Sequence, residues 1–150
     1  MIKEGDIVRI PLPDGRDATG WILHVSKRTK NAAGFIVFGI EGQHGVDVKF
    51  DLITNKALSI KVLGPLYTHV DNFELTGCKV IAHQPISDAK RQLTRRRIGG
   101  GVYVGDDFIG SSEELGETDL RPMLLMGMPG VYSQIEDAFG KATSSKESEP

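Results

Sequence analysis

The sequence has 150 residues, 39% hydrophobic and 25% charged, enough for one domain with a buried core. Eighteen basic against twenty acidic residues leave a net charge of -2, so the whole molecule has no electrostatic pull toward nucleic acid or an anionic membrane. The lone cysteine, Cys78, excludes an internal disulfide and points to a reducing compartment. No apolar run approaches the roughly 20 residues of a spanning helix. The first residues lack the apolar centre of a signal peptide, so a cytoplasmic location is expected.

Two apolar, β-branched runs, 7–12 and 21–25, flank Pro13-Asp14-Gly15. Proline presets one turn corner, Asp14 can bond the backbone ahead of it, and Gly15 accepts a positive φ, which together predict a hairpin. Val8, Ile10 and Leu12 alternate with Ile7 and Arg9, so one face is expected to be core. Gly20, just before Trp21, leaves room for a bulge or a close backbone approach, and Trp21 reads as a core residue. Residues 26–32 read as a basic, exposed connection, and 35–38 as a strand covered on both faces.

A turn is expected at 42–45, a half-buried strand at 46–52, another turn at 54–56 and a restart at 58–62. Gly64-Pro65 interrupts that run, 66–70 can form a short strand, and Asp71-Asn72 breaks it. Residues 79–82 form a strand stopped by Pro85, and Ser87 can cap a helical turn over 88–93. The triplet Gly99-Gly100-Gly101 leads into a second hairpin, 102–104 and 108–109, turning at Gly105-Asp106-Asp107. Residues 110–119 read as an acidic loop, and 120–128 resist assignment. Val131, Tyr132, Ile135, Ala138 and Phe139 recur at helical spacing between Pro129 and Gly140, predicting a helix. The expected organisation is one β-rich domain over 1–140 and a disordered, serine-rich tail over 141–150.

Chemistry-bearing motifs are few. Lys90, Arg91, Arg95, Arg96 and Arg97 form an acid-free run that suits carboxylates or phosphates, or else a solvated loop. Asp106, Asp107, Glu113, Glu114, Glu117 and Asp119 follow with opposite sign. They can neutralise that run or face a basic partner. The glycine triplet lacks the Lys-Ser/Thr ending and the following helix of a phosphate loop, so it reads as a turn. His24, His44, His69 and His83 have no metal-ligand spacing, and neither a metal nor a cofactor is expected. Cys78 and His83 are the one conceivable nucleophile pair, but burial in an apolar strand would quiet the thiol. Trp21, Tyr67 and Tyr103 are candidate aromatic anchors; Trp21 reads as core, and Tyr103 as the better surface anchor.

Three stretches carry a family resemblance. Gly5-Asp6-Ile7 with Ile10-Pro11-Leu12-Pro13-Asp14-Gly15-Arg16 and Gly20 resembles the start of the Imm26 family, immunity proteins of bacterial polymorphic toxin systems. Gly77–Pro85 and the basic-to-glycine stretch Arg95–Tyr103 continue it. Where the family has a tryptophan and a glycine-asparagine pair before its proline, this chain has no tryptophan and carries Ala82-His83. The resemblance implies a non-enzymatic protein that occludes a cognate toxin domain, a nuclease being one such chemistry. Arg91, Arg95, Arg96, Arg97, Tyr103, Asp106, Asp107, Glu113 and Glu114 are then the candidate toxin contacts. Gly5, Asp14, Gly15, Gly20 and Trp21 are structural. The rival reading is an SH3-like nucleic-acid- or peptide-binding module using Trp21, Tyr103 and the arginines. In either case the expected fold is mainly β: a bent antiparallel sheet, or an SH3-like partly open barrel, with one C-terminal helix.

Overall fold

The computed structural model describes residues 2–29, 31–41 and 62–140. The strand expected at 46–52, the turns at 42–45 and 54–56, most of the restart at 58–62 and the tail 141–150 lie outside the described residues.

Strands β1 (Asp6–Pro11) and β2 (Asp17–Val25) form the expected hairpin, paired from Ile7↔Trp21 to Pro11↔Asp17. Its turn is closed by Gly15 N donating to Leu12 O (3.0 Å) and Leu12 N donating to Arg16 O (2.7 Å), with Gly15 at φ +94°. A tight turn ending in one positive-φ residue is a favoured three-residue hairpin loop. Asp14 Oδ1 accepts from Arg16 N at 3.0 Å, and its other oxygen takes Arg16 Nε at 3.0 Å. The hydrogen bond from the Arg16 side chain, more than its charge, holds the Asp14 carboxyl below the ordinary range. The second strand starts at Asp17 rather than 21, because pairing with β1 carries its polar first residues into the sheet.

With β3 (Ala32–Ile40), β4 (Leu63–His69) and β5 (Lys79–His83) the hairpin builds an antiparallel sheet of order β4-β3-β2-β1-β5. The pairing of β2 with β3 shifts register at Gly20, whose backbone runs so close that a Cβ would stand 3.1 Å from Ile36 O. A short helix α1 (Asp71–Leu75) lies on the path from β4 to β5. Asp71-Asn72 therefore starts a helical turn rather than a plain break, and that turn buries Phe73 against Phe35, edge to face at 5.2 Å. Among the described residues the sheet does not close into a barrel: β4 and β5 are its edges.

Both faces of the sheet are core, where alternation in β1 anticipated one. Val8, Ile10, Ile22, Phe35 and Val37 pack under helix α4 (Met128–Phe139), through Met128, Val131 and Ile135. This is the expected C-terminal helix, and its hydrophobic spacing is the reason it docks there. Ile7, Trp21, Leu23, Ile36 and Phe38 form a second cluster beneath Ile86 and Leu93. Trp21 is 1% exposed, stacks on Phe38 and donates from Nε1 to Gln84 O at 3.0 Å. The chain after β5 thus folds back over the second face. It forms α2 (Asp88–Arg91), capped by Ser87 as expected, and a 3-10 turn (Gln92–Thr94).

Beyond it β6 (Arg96–Ile98), β7 (Gly101–Val104) and β8 (Asp107–Ser111) make a three-stranded antiparallel sheet. The glycine triplet turns β6 into β7, and Gly105-Asp106 turns β7 into β8. The acidic loop expected over 110–119 is corrected. Residues Gly110 and Ser111 continue β8, and α3 (Ser112–Leu115) follows as a helical turn. Ser111 Oγ accepts from Glu114 N at 3.1 Å and donates to Glu114 Oε1 at 3.1 Å, a serine–glutamate cap that starts the turn. The unassigned stretch 120–128 contains an extended strap. It bridges Arg97 at Pro122 and Tyr67 at Leu125, both parallel, and so ties the edges of the two sheets.

Candidate functional site

The basic run is placed on and just before β6, but its guanidinium groups are engaged within the chain. Arg91 forks onto Glu4, with Nη2 3.0 Å from Oε2. Arg95 does the same with Glu117, Nε to Oε1 at 2.7 Å. That hydrogen bond raises the Arg95 pKa and lowers that of Glu117. Arg97 donates to Leu120 O (3.3 Å) and Gly99 O (3.1 Å). Arg96 is not at the surface at all. It is 1% exposed, lies 4.9 Å from the Tyr67 ring centre and donates to Gly105 O. Burial raises the Tyr67 hydroxyl to about 12, the neighbouring Arg96 charge pulling the other way.

Asp106 points inward as well. It accepts from Ser26 Oγ (2.6 Å) and Lys27 N (2.8 Å) and lies 3.0 Å from His24 Nε2. Burial alone would raise this carboxyl, but the Ser26, Lys27 and His24 contacts outweigh it and bring the pKa to about 2. His24 Nδ1 in turn stands 4.0 Å from Glu4, the partner of Arg91. The connection after β2, read as an exposed loop, is therefore anchored: Ser26 is buried, Thr29 is half-buried, and Lys27 and Arg28 are exposed.

Tyr103 is 9% exposed, lying between Arg28, 4.7 Å from its ring centre, and Phe108, edge to face at 5.5 Å. The outermost aromatic of this layer is thus Phe108, 61% exposed, rather than Tyr103. Asp107, Glu113 and Glu114 are exposed at the two ends of β8. The candidate residues 91–114 consequently divide: Arg96 is buried, Arg91, Arg95 and Arg97 are half-buried and tied to Glu4, Glu117 and backbone carbonyls, and three of the carboxylates face outward.

Cys78 lies just ahead of β5, half-buried, with Thr76 Oγ1 3.6 Å from its sulfur. Burial raises its pKa, partly offset by that hydroxyl. His83 Nδ1 is 3.0 Å from the buried Asp6. Its ring occupies the space over Gly5, where a Cβ would come within 2.6 Å of Cε1. Among the described residues no three His, Cys, Asp or Glu side chains gather as a metal site. None of the described helices is long and apolar enough to cross a membrane.

Sequence reasoning missed the Arg91–Glu4 and His24–Asp106 contacts, since partners 87 and 82 residues apart leave no local signal. It also missed the α3 turn, for which Ser111-Ser112-Glu113-Glu114 was a readable cue. No curated protein and no solved structure matches the chain. The immunity protein 26 family, Imm26, matches residues 3–105. That span takes in the five-stranded sheet, the arginine-rich segment that covers it and the first two strands of the smaller sheet. The chain therefore belongs to the Imm26 immunity protein family.

Proposed function

We propose that the protein neutralises a cognate bacterial toxin domain by binding it one to one and covering its working surface, without chemistry of its own. The immunity-protein match over residues 3–105 carries this reading. The contact surface is the outer part of the smaller sheet, where Asp107, Glu113 and Glu114 point to solvent. A toxin that works on an anionic substrate, such as a nuclease, carries a basic cleft, and a carboxylate-rich inhibitor is steered into it. Arg96 and Asp106 hold the β7–β8 turn of that surface in place, and Tyr103 supports Phe108 from below, while Arg91, Arg95 and Arg97 are taken up by contacts within the chain. As a module for stacking on nucleic acid the chain is less suited, because Trp21 and Arg96 are each 1% exposed.

The test is co-expression in the cytoplasm with the toxin domain from the adjacent open reading frame. Wild-type protein should restore growth, the triple reversal D107K/E113K/E114K should not, and Cys78→Ala should protect like wild type. Growth that wild-type protein cannot rescue would sink the immunity reading. Protection lost in Cys78→Ala, with normal folding, would revive an enzymatic one.

A further inference from the structure

Among the described residues the two sheets have four edges, and three of them are closed or blunted. The strap closes the β4 edge through Leu125 and the β6 edge through Pro122. Strand β5 presents Lys79, a charge of the kind that discourages edge pairing, beside one exposed apolar side chain, Val80. Strand β8 is different. It ends its sheet with no strand beyond it among the described residues, and it exposes Phe108 (61%) and Ile109 (44%). Phe108 lies over Gly101, where a Cβ would come within 3.0 Å of its ring, and Leu115 lies over Gly110 in the same way at 3.2 Å. Exposed apolar side chains thus accompany an open strand, with Asp107 at one end and Glu113 and Glu114 at the other.

We infer that β8 is a strand-addition site, taking an extended segment of the toxin as a fourth strand on the β6-β7-β8 sheet. The segment has apolar residues at its centre and lysine or arginine at both ends. Main-chain hydrogen bonds supply the affinity common to such additions, and the flanking charges supply selectivity. Charge also excludes a second copy as the occupant. Antiparallel β8–β8 pairing sets Asp107 against the end that bears Glu113 and Glu114, and parallel pairing sets Asp107 against itself. Like charges facing across strands are destabilising. The site, from Asp107 onward, lies past residues 3–105, the span of the family match. The inference rests on the toxin-binding reading and specifies its geometry.

The experiment uses the full chain and the toxin domain of the adjacent open reading frame. Hydrogen exchange of the wild-type complex should show slowed amides within 107–111 relative to the free protein. Ile109→Lys and Phe108→Lys, checked for an unchanged denaturant midpoint, should each weaken binding at least tenfold. D107K/E113K should slow association, by a factor that shrinks as salt rises. Unchanged exchange across 107–111 in a complex that nevertheless forms and protects would overturn strand addition and leave immunity standing. Failure of wild-type protein to bind would overturn both. A dimer of the free protein that Ile109→Lys dissolves would assign the edge to a second copy instead.

Discussion

His24 Nε2 lies 3.0 Å from Asp106 Oδ1, and this contact fastens the β7–β8 turn to the second strand of the larger sheet. The same carboxylate holds Ser26 Oγ and Lys27 N. Replacing Asp106 with alanine therefore strands three partners at once. The denaturant midpoint should fall by an amount corresponding to about 2 kcal/mol, since an unsatisfied buried donor costs roughly 1–3 kcal/mol. Asp107→Ala, one residue on and exposed, should leave it unchanged.

Acid should loosen the same turn. The Asp106 pKa is depressed to about 2 in the folded chain, against roughly 3.9 in an unfolded one. Its stabilisation is therefore complete above about pH 4 and lost as pH falls toward 2. Allowing for solvent screening, the loss is on the order of 1 kcal/mol. Stability measured between pH 5 and 2 should decline less steeply in Asp106→Asn than in wild type.

Two glycines separate strain from collision. Gly15 has φ +94° and open space around it, so Gly15→Val should cost only its backbone conformation, about 1 kcal/mol or slightly more. Gly5 has φ +95° and also faces His83 Cε1 at 2.6 Å and Gln84 O at 3.1 Å. Gly5→Ala should cost about 2 kcal/mol or more despite the smaller side chain. Thermal melts of the two variants would rank them.

Arg96 is a buried cation that donates from Nη1 to two backbone carbonyls, Gly105 O and Thr94 O, and from Nη2 to Met123 Sδ. Arg96→Met should destabilise by about 2–3 kcal/mol, and Arg96→Lys should restore little, because an ammonium cannot reproduce the flat fork over the Tyr67 ring. Arg95→Ala breaks only a surface fork with Glu117 and should leave the midpoint nearly unchanged.

Cys78 should be sluggish toward thiol reagents. Burial raises its pKa, and the thiolate is the reacting form. Its labelling rate at pH 7.5 should lie well below that of an unfolded control and should rise sharply when the chain is denatured.

Local chemistry was legible in the sequence. Pro13-Asp14-Gly15 turns as its residues require, Ser87 caps its helix, and the spacing from Val131 to Phe139 marks the helix that covers the core. Long-range structure was not. Alternation in β1 says that Ile7 and Val8 face opposite ways, but not that residues 84–94 return to bury the Ile7 side. The arginine run shows the same limit at the candidate surface. A row of like charges reads as a solvated patch until Glu4 and Glu117 arrive from distant parts of the chain. Gly20 reads correctly because the missing Cβ is a property of one residue.

The strand order also sets a schedule for folding. β1, β2 and β3 are sequential neighbours joined by short turns, whereas β5 pairs with β1 through Ile7↔Ala82. Contacts of such high sequence separation slow folding, because a long loop must be closed before they form. During synthesis the three-stranded meander can assemble early, while Trp21 stays open to water until Gln84 and Leu93 have emerged. The half-made chain thus carries a bare apolar face, and its fluorescence should report the last step of assembly: the single tryptophan is shielded only when residues 84–94 settle over it.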